Sequence, residues 1–142
     1  LAQPLAALLG AEAAAWLGQF ELRQPWLVPV PLHRRRLAQR GYNQAGLLAR
    51  EWGRWLGMPV RAQALRRTRA TAAQAELPGR DRRHNVAGAF QARRVAGRSI
   101  VLVDDVVTSG ATVEAAADSL LEAGAAGVWV LAVARAGLER AP

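Results

Sequence analysis

Two adjacent carboxylates, Asp104 and Asp105, close an apolar run in the stretch IVLVDDVVTSGATVEAAADSLLEAG, Ile100 to Gly124. Carboxylates repel one another and are costly to bury unpaired, so a strand that ends in such a pair marks a site. The residues that follow suit an anion. Thr108, Ser109, Gly110, Ala111 and Thr112 are small. Glycine admits close backbone approach, and a helix starting at this point offers unpaired N–H groups and the positive end of its dipole. The two carboxylates cannot bind phosphate, but they accept hydrogen bonds from sugar hydroxyls. Paired Asp residues at a strand end also fit metal ligands or the phosphoacceptor of a receiver-like domain. The TSGAT continuation favours a sugar phosphate.

The elements around this stretch must position it. PWLVPVP (Pro25 to Pro31) predicts a buried strand that stops where Pro31 removes a backbone donor. Asn43 caps a helix running through Leu56, with Ala45, Leu48, Trp52, Trp55 and Leu56 on one apolar stripe and Gly57 at its end. That stripe reads Trp52 and Trp55 as core packing in preference to base stacking. MPVRAQAL (Met58 to Leu65) predicts a second strand, Ser99 to Val103 a third and Gly127 to Ala134 a fourth, with a helix over Ala111 to Ala123. Leu5 to Gly18 is apolar but short, and Glu12 interrupts it, so it is expected to be a surface helix rather than a membrane span or secretory signal. Strands alternating with helices predict an α/β fold, one open parallel sheet flanked by helices, in a single domain over residues 1–142.

In such a sheet ligands sit at the carboxyl ends of the strands, where strand order reverses. With a strand order of 2-1-3-4, the loop HRRRLAQRGYNQ (His33 to Gln44) and the loop Asp104 to Thr112 border one crevice. The Arg34–Arg36 and Arg40 cluster fits a solvated face, but its position after a strand facing the same crevice favours a pyrophosphate role. RRTRATAAQAELPGRDRRHNVAGAF has no long apolar period, and a loop of that length is expected to be a lid or binding loop. Within it, Thr68 to Asp81 is expected to be the most mobile stretch. His33 and His84 are lone histidines flanked by arginine, and the residues assign a role to neither.

Charge placement says more than the net +8. Between His33 and Arg98, sixteen Arg face Glu51, Glu76 and Asp81; from Ser99 onward two Arg face six carboxylates. All nineteen basic residues are Arg, which codon bias explains at most surface positions, although its planar fork does suit phosphate. A basic middle set against an acidic end suggests a polyanionic ligand accompanied by a divalent cation. There is no cysteine, which excludes disulfides and thiolate metal sites and is compatible with a cytoplasmic location. The first residue is Leu1, so a preceding segment is expected.

VLVDDVVTSGAT resembles the ribose-phosphate signature of type I phosphoribosyltransferases. Two further stretches, VPVPLHRRRLAQRGYNQA and LRRTRATAAQAELPGRDRRHNVAGAF, are similar to those of the ComF family, associated with natural competence and DNA uptake. Together they span about Pro29 to Arg135. The resemblance implies that Asp104 and Asp105 hold the ribose hydroxyls of phosphoribosyl pyrophosphate (PRPP) and serve catalysis. It implies that Val107, Thr108, Ser109, Gly110, Ala111 and Thr112 wrap its 5-phosphate. Arg36, Arg40 and Gly41 are expected at the pyrophosphate, and Arg67, Arg69, Gln74, Arg82 and Asn85 in a flexible hood loop. Mg²⁺ enters with PRPP. Family members commonly carry an N-terminal four-cysteine zinc ribbon; without cysteine, no zinc site is carried over to this chain.

The implied reaction breaks the bond between the anomeric carbon and pyrophosphate through an oxocarbenium-like state. Arg side chains and Mg²⁺ neutralise the leaving group, and a closing loop excludes water. Only Arg135 to Pro142 follow the last strand, little with which to build an acceptor pocket. Three functions stay open: a phosphoribosyltransferase with an unidentified acceptor, a non-catalytic PRPP sensor, and a component of the DNA-uptake apparatus that binds single-stranded DNA and competence proteins.

Overall fold

A computed structural model describes residues 2–68 and 88–136, with side chains from residue 9 onward. The elements in chain order are α1 (Ala2–Leu17), β1 (Trp26–Pro29), α2 (Arg34–Arg40), α3 (Gln44–Leu56), a 3₁₀ turn (Ala62–Ala64), β2 (Leu65–Arg67), β3 (Phe90–Ala92), β4 (Ser99–Val107), α4 (Ala111–Glu122) and β5 (Gly127–Arg135). β1, β4 and β5 form a parallel sheet in that order, and β2 and β3 form a separate antiparallel pair.

The central strand is apolar on both faces, as a parallel sheet covered on two sides requires. Ile100, Val101, Leu102 and Val103 are each fully buried. Their side chains alternate. Ile100 and Leu102 pack with Val28, Val113, Ala116 and Leu120 on the α4 side, where Leu65, Phe90 and Val95 join them. Val101 and Val103 pack with Leu27, Leu48, Ala49 and Trp52 on the α3 side, together with Ala13 and Leu17 of α1. The apolar face of α1 and the stripe of α3 are thus both spent on one side of the sheet.

α3 begins and ends where the sequence places it. Asn43 Oδ1 accepts from the Ala45 N–H at 3.2 Å, and Gly57 closes the helix with φ 64°. Trp52 is buried, but Trp55, expected beside it in the core, is 59% exposed. It sits in the last turn, where its ring lies against Gly10 of α1, 3.2 Å from where a Cβ would stand, and leaves its outer face to water.

Three other expectations are corrected. The second strand shrinks to one parallel bridge, Leu27↔Val60, with Leu27 N–H donating to the Pro59 carbonyl and Arg61 N–H to the Leu27 carbonyl. Its place beside β1, opposite β4, keeps the expected order, but Arg61, Ala62 and Gln63 are exposed and the chain turns away there. Leu65–Arg67 pairs with Phe90–Ala92 instead. The stretch HRRRLAQRGYNQ is not all loop: seven of its residues form α2, capped by His33, whose Nδ1 accepts from the Arg35 N–H at 3.3 Å. Finally, Asp104 to Val107 continue the strand rather than opening the loop, because β5 is long enough to pair with them through Asp104↔Ala132 and Val107↔Arg135. The stretch expected to be most mobile, Thr68 to Asp81, lies outside the described residues beyond Thr68, as does His84. Among the described residues no helix is long and apolar enough to cross a membrane.

Candidate functional site

β1 stops pairing at Pro29↔Val103, with one further bond from Val30 N–H to the Val103 carbonyl at 2.8 Å, while β4 runs on for four residues. That overhang opens a cleft of about 320 Å³ at the carboxyl edge of the sheet. The β4 side of the cleft supplies Asp104, Asp105, Thr108 and Gly110; α2 supplies Arg36 and Arg40; β2 supplies Arg67. Both loops predicted to share one crevice do so.

The two carboxylates stand side by side, and each is turned back onto the chain. Asp104 Oδ1 accepts from the Asp105 N–H at 2.9 Å, and Asp105 Oδ1 from the Val106 N–H at 2.9 Å. Burial pushes the Asp104 pKa up to about 7, with the Asp105 carboxyl adding to the rise and Arg67 opposing it. The folded chain therefore keeps the Asp104 proton to a higher pH than a free carboxyl would, and the repulsion between the adjacent carboxylates grows as that proton leaves.

Beyond the strand, Gly110 adopts φ 84° and turns the chain into α4. Open space surrounds the position of an added Cβ, so it is the backbone angle, rather than crowding, that calls for glycine. Ser109 Oγ accepts from the Ala111 N–H at 3.3 Å. The amides that follow begin a helix and have no partner within it, so they and the dipole favour an anion here. Gly110, Thr112 and Val113 line the cleft; Ser109 and Ala111 stand behind them in the same turn.

The opposite wall is cationic. α2 buries none of its residues, and Gly41 ends it with φ 76°, its N–H donating to the Leu37 carbonyl at 2.7 Å. Gly41 shapes that turn, while Arg36 and Arg40 reach the cleft. Arg67, expected in the flexible loop, is the last residue of β2 and lines the same space. Burial, then the neighbouring Arg36 charge, lowers its pKa, and Asp104 counteracts both. Arg69, Gln74, Arg82 and Asn85 lie outside the described residues.

Two polar residues of the lining, Asn43 and Gln44, carry no ligand role in the sequence. Asn43, besides capping α3, donates from Nδ2 to the Val30 carbonyl at 3.1 Å and so ties α3 to the end of β1. Gln44 follows it into the cleft. The signal was present in GYNQ, next to the glycine that ends α2, but nothing there tells a cap from a wall.

A strand bearing paired carboxylates at the sheet's edge, a glycine turn into a helix N-terminus and an arginine-bearing wall define the phosphoribosyltransferase class. Residues 41–142 match the model of the phosphoribosyl transferase domain, and the chain belongs to that family. Among its relatives, the DNA utilization protein YhgH of Escherichia coli (strain K12) is 46% identical over 110 residues, 77% of this chain and 48% of that protein. Competence protein F of Haemophilus influenzae is 37% identical over 114 residues, 78% of this chain and 50% of that protein. Competence protein ComFC of Bacillus subtilis is 35% identical over 107 residues, 70% of this chain and 40% of that protein. These relatives bear out the resemblance to the ComF family. The chain spans about half the length, or less, of the curated relatives it matches. A crystal structure of TT1426 from Thermus thermophilus shares the fold, with a TM-score of 0.55 and 20% identity over 99% of this chain and 86% of that one.

Proposed function

We propose that the cleft binds PRPP together with Mg²⁺, and that the protein transfers the phosphoribosyl group to an acceptor yet to be identified. The observation that carries this reading is the meeting of three elements on one cleft: the β4 carboxylates, the α4 N-terminal turn and the α2 arginines. The turn at Thr108 to Thr112 takes the 5-phosphate, because its amides and dipole favour an anion. Asp104 and Asp105 accept from the ribose hydroxyls. Arg36 and Arg40 draw charge from the diphosphate as the bond to the anomeric carbon breaks. The adjacent carboxylates also suit a cation that arrives on the diphosphate and ribose oxygens, and Mg²⁺ there would stabilise the departing diphosphate.

Titrating the protein with PRPP, with and without Mg²⁺, and then screening nucleobase-type acceptors for pyrophosphate release tests both halves. Binding with release supports a transferase. Binding that never leads to release with any acceptor supports a PRPP sensor. No binding removes the proposal.

The relatives' names, DNA utilization protein and competence protein, favour a second reading in which the chain also serves DNA uptake by contacting single-stranded DNA. That contact would be strongly salt-dependent, with a slope that falls when Arg66, Arg67 and Arg69 are neutralised. The two readings are compatible.

A further inference from the structure

β5 is the outermost strand of the parallel sheet, and among the described residues no strand pairs with its outer edge. The Ala126 N–H donates to the Arg98 carbonyl at one end and the Ala136 N–H to the Val107 carbonyl at the other, both at 2.8 Å. Backbone groups alternate in direction along a strand, so Gly127, Trp129, Leu131, Val133 and Arg135 turn theirs outward. Exposed edges are commonly blunted by charge, proline or an interrupted ladder. The opposite edge of the sheet is blunted in this way, because beyond β1 there is the single Leu27↔Val60 bridge. β5, by contrast, runs GVWVLAVAR with no proline and no charge before Arg135.

That edge is complementary to itself. A two-fold axis through Leu131, perpendicular to the sheet, pairs the strand antiparallel with a second copy over all nine residues. Outward-facing residues then meet outward-facing ones, Leu131 with its own copy and Trp129 with Val133, as a hydrogen-bonded ladder requires. Larger side chains meet smaller ones: Trp129 meets Val133, Val128 meets Ala134 and Val130 meets Ala132. Arg135 falls opposite Gly127, so no like charges come together. Such an axis also keeps each face of the strand on its own side, with Trp129, Leu131 and Val133 toward α1 and α3 and with Val128 and Val130 toward α4. On the α1 side the edge carries uncovered aromatic surface. Phe20 is 38% exposed, with its ring 5.7 Å from Trp129 and 5.2 Å from Trp16. We propose that β5 is the docking surface for a second copy of this chain, in a two-fold dimer whose continuous sheet takes three strands from each copy. No residue of β5 lines the cleft, so the dimer leaves it open.

Light scattering coupled to gel filtration, over a range of protein concentrations, reads the mass of wild type and of Val133→Pro. Val133 turns its N–H outward, so proline there removes an edge donor without costing β5 a bond to β4. The axis doubles every change, and the dimer should weaken by roughly tenfold or more while the circular dichroism stays that of wild type. The chain has no cysteine, so Leu131→Cys introduces a single thiol, placed on the axis. Opposed residues there stand about 5.5 Å apart between Cα atoms, within disulfide range, whereas Ala134→Cys would lie about 20 Å from its copy. Mild oxidation should join Leu131→Cys into covalent dimers and leave Ala134→Cys unjoined. A wild type that stays monomeric at every concentration overturns the proposal, as does a dimer that Val133→Pro leaves equally tight. Equal cross-linking of the two cysteine variants, or none in either, overturns the register and the proposal with it. If Val133→Pro does not fold, the two cysteine variants decide.

Discussion

The side chain of Asn43 bridges two elements: Nδ2 donates to the Val30 carbonyl at 3.1 Å while Oδ1 accepts from the first turn of α3. One residue thus caps a helix and fixes where that helix stands against the end of β1. Asn43→Ala removes both bonds and leaves the Val30 carbonyl without its donor. A stability loss on the order of 1–3 kcal/mol is expected by chemical denaturation. Asn43→Asp keeps the cap but not the donor, and should recover only part of it.

Replacing Asp104 and Asp105 together with Asn tests the sugar contact. Asn keeps the size and one acceptor but loses the charge, and hydrogen bonds to charged groups contribute roughly 1.5–3 kcal/mol. The melting temperature without ligand should hold or rise slightly, because the repulsion between the pair is gone. The rise in melting temperature on adding Mg-PRPP should shrink sharply. A full ligand-induced rise in the double mutant would show that the pair serves something other than the ribose.

Asp104 also makes stability depend on pH in an unusual sense for a carboxyl. Its folded pKa is raised to about 7 against an unfolded value of roughly 4, so the native state holds a proton that the unfolded chain has released. The contribution is fully present below roughly pH 4 and is lost as pH rises through about 7. Wild type should therefore lose stability relative to Asp104→Asn between those limits, by on the order of 1–3 kcal/mol given that water reaches part of the group. Parallel denaturation curves across that window would contradict the assignment.

Gly110→Ala puts a side chain on a residue with φ 84°. Space is open around it, so the cost is backbone strain, about 1–2 kcal/mol. A shifted turn would also misplace the first amides of α4. Urea denaturation should show the stability loss, and phosphate-bearing ligands should bind more weakly than that loss alone explains.

Much of the frame was visible in the residues. Ile100 to Val103 is apolar without a break, which only a strand buried on both faces requires, and the Asp pair marks where burial stops. Asn43 and Gly57 mark both ends of α3 because capping is local chemistry. What could not be seen depends on partners distant in sequence. Arg34–Arg40 forms a helix with no buried residue, so no apolar period announces it. Asp104 to Val107 stay in the strand only because β5 lies alongside. Leu65–Arg67 finds its partner at Phe90–Ala92, and three-residue strands carry too few positions to show alternation. The exposure of Trp55 likewise depends on α1 lying against only one side of its ring.

The Thr68 N–H donates to the Ala89 carbonyl at 2.7 Å, and the Thr68 hydroxyl bonds the same oxygen at 3.2 Å. The two ends of the intervening stretch are therefore clasped together at one point, beside the β2–β3 pair. Closing a loop across a fixed gap costs only about 0.6 kcal/mol more for each doubling of its length. While this clasp holds, a change in the number of residues between Thr68 and Ala89 therefore adds little to the entropy of closing the chain.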